Sequence, residues 1–198
     1  MLKRLTLLLA LAAMLHGCRP ETYTVRPRGY YRIDTPKHAY QRFDMPGYPY
    51  RFEFPTYGVI LRDSSLLKMA PESPWWVNVD FPTLGGRVYM TYKRINAGQD
   101  FQKLLEDAHE MSFDAHSIRA DYINSPSFIN RHGVQGVMFD VGGNAASKYQ
   151  FFATDSVKHF LRGALYFDVT PNADSLQPVT DFLKRDLDHM LGTLEWKE

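Results

Sequence analysis

Only two stretches of this chain repeat apolar residues at helical spacing, whereas about eight short runs cluster β-branched and aromatic residues between glycines and prolines. The runs are Tyr50–Phe54, Gly58–Leu61, Trp75–Asp80, Val88–Tyr92, Ser117–Ile123, Val134–Val141, Lys148–Ala153 and Val157–Phe167. A parallel sheet needs a crossover, normally helical, between its strands, and two helices cannot serve that many. The expected fold is therefore α+β: a mainly antiparallel sheet of about six to eight strands with two long helices packed on it. In the first helical pattern Phe101, Leu104, Leu105, Ala108 and Ser112 recur on one face, and Asn96 with Gln99 forms a capping box. In the second, Leu176, Val179, Leu183, Leu187, Met190, Leu191 and Leu194 form one stripe. Ser175 as its N-cap would leave Pro178 in the first turn, where a missing N–H costs nothing. Both stripes read as core facing a sheet.

With 198 residues, 44% of them apolar and 14% aromatic, the chain can build one ordinary core. Lys+Arg is 23 and Asp+Glu is 22, a formal charge of +1, so no basic field exists to grip nucleic acid. Cys18 is the only cysteine, which excludes an internal disulfide framework, Cys-based zinc sites and CxxC redox chemistry. It also closes a distinctive N-terminus. Lys3 and Arg4 precede a mostly apolar run from Leu5 to Leu15. Eleven helical residues span about 16 Å, roughly half a hydrocarbon core, which suits an export signal better than a membrane span. The run ends Leu15-His16-Gly17-Cys18, which looks like a bacterial lipobox with Gly17 before the cut and Cys18 as the lipidated first residue. No second apolar run reaches spanning length, so the mature protein is expected to be anchored. The organisation expected is a signal peptide over 1–17, a lipid-anchored Pro/Tyr-rich extended arm over 18–49 and a single α+β domain over 50–198.

The stretch from 19 to 57 holds half of the 12 prolines and more than half of the 12 tyrosines. Proline keeps such a stretch extended, and aromatic side chains bury large areas wherever a groove is near. The arm therefore packs either on its own domain or on a partner, with Tyr30 and Tyr31 as candidate contacts. Trp75 and Trp76 form a second aromatic cluster and raise the alternative of a periplasmic module for glycan or peptide.

Motifs for chemistry are scarce. There is no GxSxG, HExxH, P-loop or dinucleotide fingerprint after a strand. Gly142-Gly143-Asn144 lies between two strand patterns and reads as a hairpin connection, with Asn144 a candidate contact residue. Asp155, Ser156 and His159 invite an envelope-hydrolase reading, but Thr154-Asp155-Ser156 reads better as a turn. His159 would face away from Ser156 along the strand that follows, too far for a nucleophile–base pair. The remaining histidines are scattered and offer no metal pair; no cofactor, metal ion or catalytic group is expected. Arg162, beside Gly163 and Ala164, is either a buried ion-pair partner or a recognition residue.

Several stretches resemble the GldD family of gliding-motility lipoproteins from the Bacteroidota: Gly29-Tyr30-Tyr31-Arg32-Ile33-Asp34, Tyr50 to Pro55, Thr91 to Ile95, and Gln150 to Phe167 with Thr154-Asp155-Ser156 and His159-Phe160-Leu161-Arg162-Gly163-Ala164 inside it. Pro171-Asn172, Asp174-Ser175-Leu176 and Trp196-Lys197 continue the likeness. The resemblance implies a lipid-anchored, non-enzymatic envelope protein required for gliding motility. It also implies association with the type IX secretion apparatus, with other gliding lipoproteins and envelope machinery as partners. Cys18 alone transfers by motif, as the acylated (palmitate-bearing) residue. The order of elements also resembles a PsbP-like sandwich. After Cys18 the chain reads Arg19-Pro20-Glu21, without an acidic cluster of the surface-export kind, so a periplasm-facing position is expected, on either membrane.

Overall fold

A computed structural model describes Gly29 and residues 32–62, 73–96 and 101–197. The expectations placed on Gly17, Cys18, Tyr30, Tyr31 and, through Gln99, the first capping box lie outside the described residues. From Arg32 onward the chain forms one compact unit.

Its strands are β1 (Tyr40–Phe43), β2 (Tyr50–Pro55), β3 (Val59–Leu61), β4 (Val77–Phe81), β5 (Gly86–Arg94), β6 (Ala120–Asn124), β7 (Ser127–Ile129), β8 (Gln135–Gly143), β9 (Tyr149–Thr154), β10 (His159–Phe167) and β11 (Glu195–Trp196). The main helices are α1 (Phe101–His109) and α2 (Ala173–Thr193). Eight strands make one sheet in the order β3-β4-β5-β10-β9-β8-β6, with β7 also paired to β8; β1-β2-β11 make a second, three-stranded sheet. Every pairing is antiparallel. The α+β antiparallel architecture with two helices is the expected one.

Both faces of the large sheet are covered in its middle. Leu161 and Leu165 of β10 and Phe151 and Ala153 of β9 share a core with Leu183, Leu187 and Met190 of α2 and with Phe43, Tyr50 and Phe52 of the small sheet. Their neighbours Phe160 and Phe152 point the other way and pack with Leu104, Leu105 and Ala108 of α1. Double coverage is why β9 and β10 are apolar almost throughout instead of alternating. Gly163 is part of this packing: a Cβ there would lie 2.2 Å from Cζ of Phe151, so only glycine leaves room for that ring.

Three local expectations need correction. The helix of α1 does not stop at Ser112; a wide π-type turn over Glu110–Asp114 carries it to Ala115–Ser117, so the strand expected from Ser117 starts only at Ala120. The N-cap of α2 is Asn172, whose side chain accepts from the Ser175 N–H, not Ser175. Pro178 therefore sits in the second turn, where it forfeits the hydrogen bond to the Asp174 carbonyl. Trp75 and Trp76 precede β4 in a turn and are not strand residues. Within the stretch expected as an arm, Tyr40–Phe43 forms β1 and Phe43 is buried against Tyr48, Tyr50 and Phe52, so this part packs on its own domain.

Candidate functional site

The residues singled out from sequence do not converge on one site. The Trp75 indole donates to the Gly47 carbonyl (2.8 Å) and meets the Tyr92 ring edge-on at 5.6 Å, with the Arg94 guanidinium over its face. The Trp76 indole donates to the Tyr92 carbonyl (3.2 Å). Both are half-buried against the core: Trp75 bridges the Gly47 loop and β5, and Trp76 is held to β5. The Asn144 side chain accepts from the Ala173 N–H at 2.8 Å, tying the β8–β9 connection to the start of α2.

His159 lies on the α2 side of β10. Its Nδ1 pairs with the Tyr92 hydroxyl at 2.7 Å, and its ring stacks on Trp196 with centroids 5.0 Å apart. Burial holds its pKa below the ordinary histidine value. Asp155 accepts three successive backbone N–H groups, from Val157, Lys158 and His159, at 2.8–2.9 Å. Ser156 adopts a positive φ of 62° and its hydroxyl accepts from the Gln135 amide. Thr154-Asp155-Ser156 is thus the turn that the sequence indicates, and Ser156 and His159 are each engaged by other groups.

Arg162 points to the α1 side. Its Nη2 donates to Oε1 of Gln150 at 2.8 Å and reaches Oγ of Ser112 at 3.5 Å. The Gln150 amide in turn meets the His116 ring at 3.2 Å. Gln150 and Ser112 are fully buried, and His116 nearly so. Nε of Arg162 is buried without a hydrogen-bond partner. Among the described residues no carboxylate pairs with this guanidinium, so neither the ion pair nor an exposed recognition side chain is what the fold provides. Burial pushes its pKa down, and it in turn, together with burial, lowers that of His116. The wide turn after α1 matters here, because it brings Ser112 and His116 inward over β9 and β10.

A second polar cluster escaped the sequence reading. Asp186 of α2 is fully buried and pairs with Nδ1 of His38 (2.8 Å) and the hydroxyls of Tyr40 (3.0 Å) and Tyr57. His38 also stacks on Phe182, and Tyr40 on His189. Burial beside the carboxylate pushes the Tyr40 phenol up to about 12. The signal was present: Asp186 stands between Leu183, Leu187 and Met190, inside the apolar stripe. Among the described residues no group of three His, Cys, Asp or Glu side chains is placed to hold a metal ion.

A family model described as gliding motility lipoprotein GldD matches residues 20–196. The chain belongs to that family. This GldD-family chain thus comes from a group of lipoproteins, anchored to the cell envelope, that is named for gliding motility. Among solved structures it is similar to the solution structure of cyanobacterial PsbP (CyanoP) from Synechocystis sp. PCC 6803, at 12% identity and a TM-score of 0.48, over 87% of this chain and 99% of that one. No curated protein matches it. Among the described residues of this GldD-family chain no helix is long and apolar enough to cross a membrane.

Proposed function

We propose that the protein is a lipid-anchored envelope component that assembles or stabilises the gliding machinery, and the type IX secretion apparatus associated with it, through protein–protein contacts. The observation that carries this reading is the family match over residues 20–196. In this reading the export signal is cut between Gly17 and Cys18, and Cys18 carries the lipid. Each acyl methylene buried in the bilayer adds about 0.8 kcal/mol of anchoring. The domain faces the periplasm and its partners are other gliding lipoproteins and envelope machinery proteins.

The protein acts by contact and not by turnover. The Ser156 and His159 side chains serve the β9–β10 turn and the core, as described above.

Deletion of the gene should abolish colony spreading and secretion of type IX cargo. A Cys18→Ser copy should express a protein that takes up no labelled palmitate, leaves the membrane fraction and fails to complement. Normal spreading and secretion in the deletion strain would refute the motility reading. A fully complementing, unlabelled Cys18→Ser protein would refute the anchor.

A further inference from the structure

One edge of the large sheet is open. β6 ends the strand order, β7 follows it along the same flank of β8, and among the described residues no strand pairs with the far side of either. Asn124 stands opposite Asp140 and Phe128 opposite Gly136, so the two strands keep one register along β8 across Ser125 and Pro126. The Met138 N–H donates to the Pro126 carbonyl (3.0 Å) and the Asn130 N–H to the Val134 carbonyl (2.9 Å). Asn124, Pro126 and Phe128 therefore turn their backbone groups to β8. By the alternation of an antiparallel ladder, the N–H and C=O groups of Ile123, Ser125, Ser127 and Ile129 point outward. Those four residues span about 20 Å, the length of an ordinary strand. Proline usually blunts an exposed edge by removing a donor from it. Pro126 does not, because its nitrogen lies on the β8 side.

Grooves flank this edge on both faces of the sheet. On the α2 side, Phe128, Met138, Leu191 and Gly192 line a cavity of about 610 Å³. On the α1 side, two cavities of about 460 and 520 Å³ adjoin, sharing Leu105, Val137 and Phe152. Ser125 and Ser127 are the low rim there. A large side chain on a further strand, about 4.8 Å away, can lean over them into the groove. Gly192 adds an independent sign. Glycine weakens a helix, yet Gly192 has no positive φ that would call for it, and nothing within 4 Å of its Cβ position needs the space. The missing side chain keeps the α2-side groove open. Two charges that line the grooves have no ion-pair partner among the described residues. Arg131 stands at the Ile129 end and donates to His132; Glu106 stands at the Ser125 end and accepts from the Gln102 amide.

We propose that this edge takes an added β-strand from a protein partner, which pairs its backbone with Ile123–Ile129 and drops alternate side chains into the grooves on the two faces of the sheet. Main-chain hydrogen bonds supply the affinity of such an addition, and the grooves select the side chains. A strand covered on both faces is apolar nearly throughout, as β9 and β10 are here. The partner segment is thus a short apolar run and not an alternating one. Running antiparallel to β6 and β7, it carries an acidic residue at its start, beside Arg131, and a basic residue at its end, beside Glu106, and these charges fix its direction. The inference stands on the edge and its two grooves and does not depend on the motility reading.

The test is amide hydrogen exchange, followed by NMR on the full chain in detergent. The probe is the acetylated heptapeptide amide Asp-Val-Phe-Val-Ile-Val-Lys, with two analogues N-methylated at alternate residues, one set for each edge of the peptide. All three partition into detergent alike. Saturating peptide should slow exchange at Ser125, Ser127 and Ile129 by at least about tenfold, and leave Asn124 and Phe128, already in the ladder, nearly unchanged. Half-saturation should fall on the order of 100 μM. One analogue should protect like the parent and the other should not, because a single edge of the peptide pairs. Ser127→Pro removes an outward N–H without touching a bond to β8, and should abolish the protection. Because that variant can fail to fold, Gly192→Leu is the second: it fills the α2-side groove where the helix has room, and should weaken binding by about tenfold or more with the thermal midpoint kept. Absence of protection at the odd-numbered residues, equal behaviour of the two analogues, or unchanged affinity in Gly192→Leu would overturn the proposal. Protection of the same amides without peptide would also overturn it, giving the edge to a second copy if it grows with protein concentration and to another segment of the same chain if it does not.

Discussion

Replacing Asp186 with alanine should be among the most damaging single changes outside the apolar core. The carboxylate is fully buried on α2 and takes hydrogen bonds from His38, Tyr40 and Tyr57, three residues that lie 129 to 148 positions away in sequence. It is thus the buried polar link between the helix and the 38–57 segment, beside the more exposed contacts of His189 and Thr193 with Glu53. Alanine would leave three donors aimed at a void. Each buried donor left unpaired costs about 1–3 kcal/mol. All three partners are partly exposed and regain some water, so the sum should settle near the roughly 3–5 kcal/mol typical of a broken buried charge network. At roughly 2–4 °C per kcal/mol for a domain of this size, the melting midpoint should fall by about 6–20 °C. Urea unfolding with linear extrapolation measures the loss directly, and the slope should stay constant because the surface exposed on unfolding barely changes. Tyr57→Phe should couple to Asp186→Ala by more than about 1 kcal/mol in a double-mutant cycle. A loss below about 0.5 kcal/mol, the range of an indifferent surface change, or strict additivity with Tyr57→Phe, would refute the claim that this carboxylate holds the segment to the helix.

Acid should weaken the fold through His116 and His159, whose pKa values are both depressed chiefly by burial. Each contributes fully above the unfolded value near 6.5; as pH drops through that value the unfolded chain binds the extra proton first, so stability falls by up to about 1.4 kcal/mol per pH unit per histidine until the depressed folded values are reached. Urea midpoints from pH 8 to 5 test this, and His159→Gln should flatten the slope. Gly136→Ala should cost more than about 3 kcal/mol, since its Cβ would lie 1.9 Å from the Phe152 carbonyl oxygen, which the β8–β9 ladder holds in place. Gly192→Ala, with nothing within 4 Å of the new Cβ inside α2, should instead stabilise by about 0.5–1 kcal/mol in the same assay. Asn172→Ala should cost about 1 kcal/mol through loss of the α2 N-cap, read as a lower thermal midpoint.

The legible parts of this chain were those with a local physical cause. The alternation in Tyr50–Phe54, the apolar stripe of α2 and the Asp155 turn each announce themselves within a few residues, and each is found where the pattern puts it. Three of the short elements were not legible. β1, β7 and β11 have four, three and two residues, too few to carry a period, and exist because β2 and β8 offer them an edge. The start of α2 lies three residues before the Ser175 cap that the sequence suggests, because Asn172 and Ser175 are both good caps and local sequence does not choose between them. For Arg162 the sequence left two readings open, and the structure took neither: whether it meets a carboxylate depends on β9 and on the turn after α1, brought against it from 12 and 50 residues away.

What residue order determined by itself was composition, periodicity and punctuation: an apolar run ending at the only cysteine, too few helices for a parallel sheet, and apolar faces that must be covered. Those properties act over a turn or a strand, where neighbouring side chains and backbone sterics suffice. The tertiary structure alone decided that β5 lies against β10, with His159 opposite Arg94 and Phe167 opposite Gly86. It likewise set Arg162 under α1 and Asp186 of α2 behind the 38–57 segment, because burial and charge pairing are properties of what surrounds a group in space, and chain distance does not encode them.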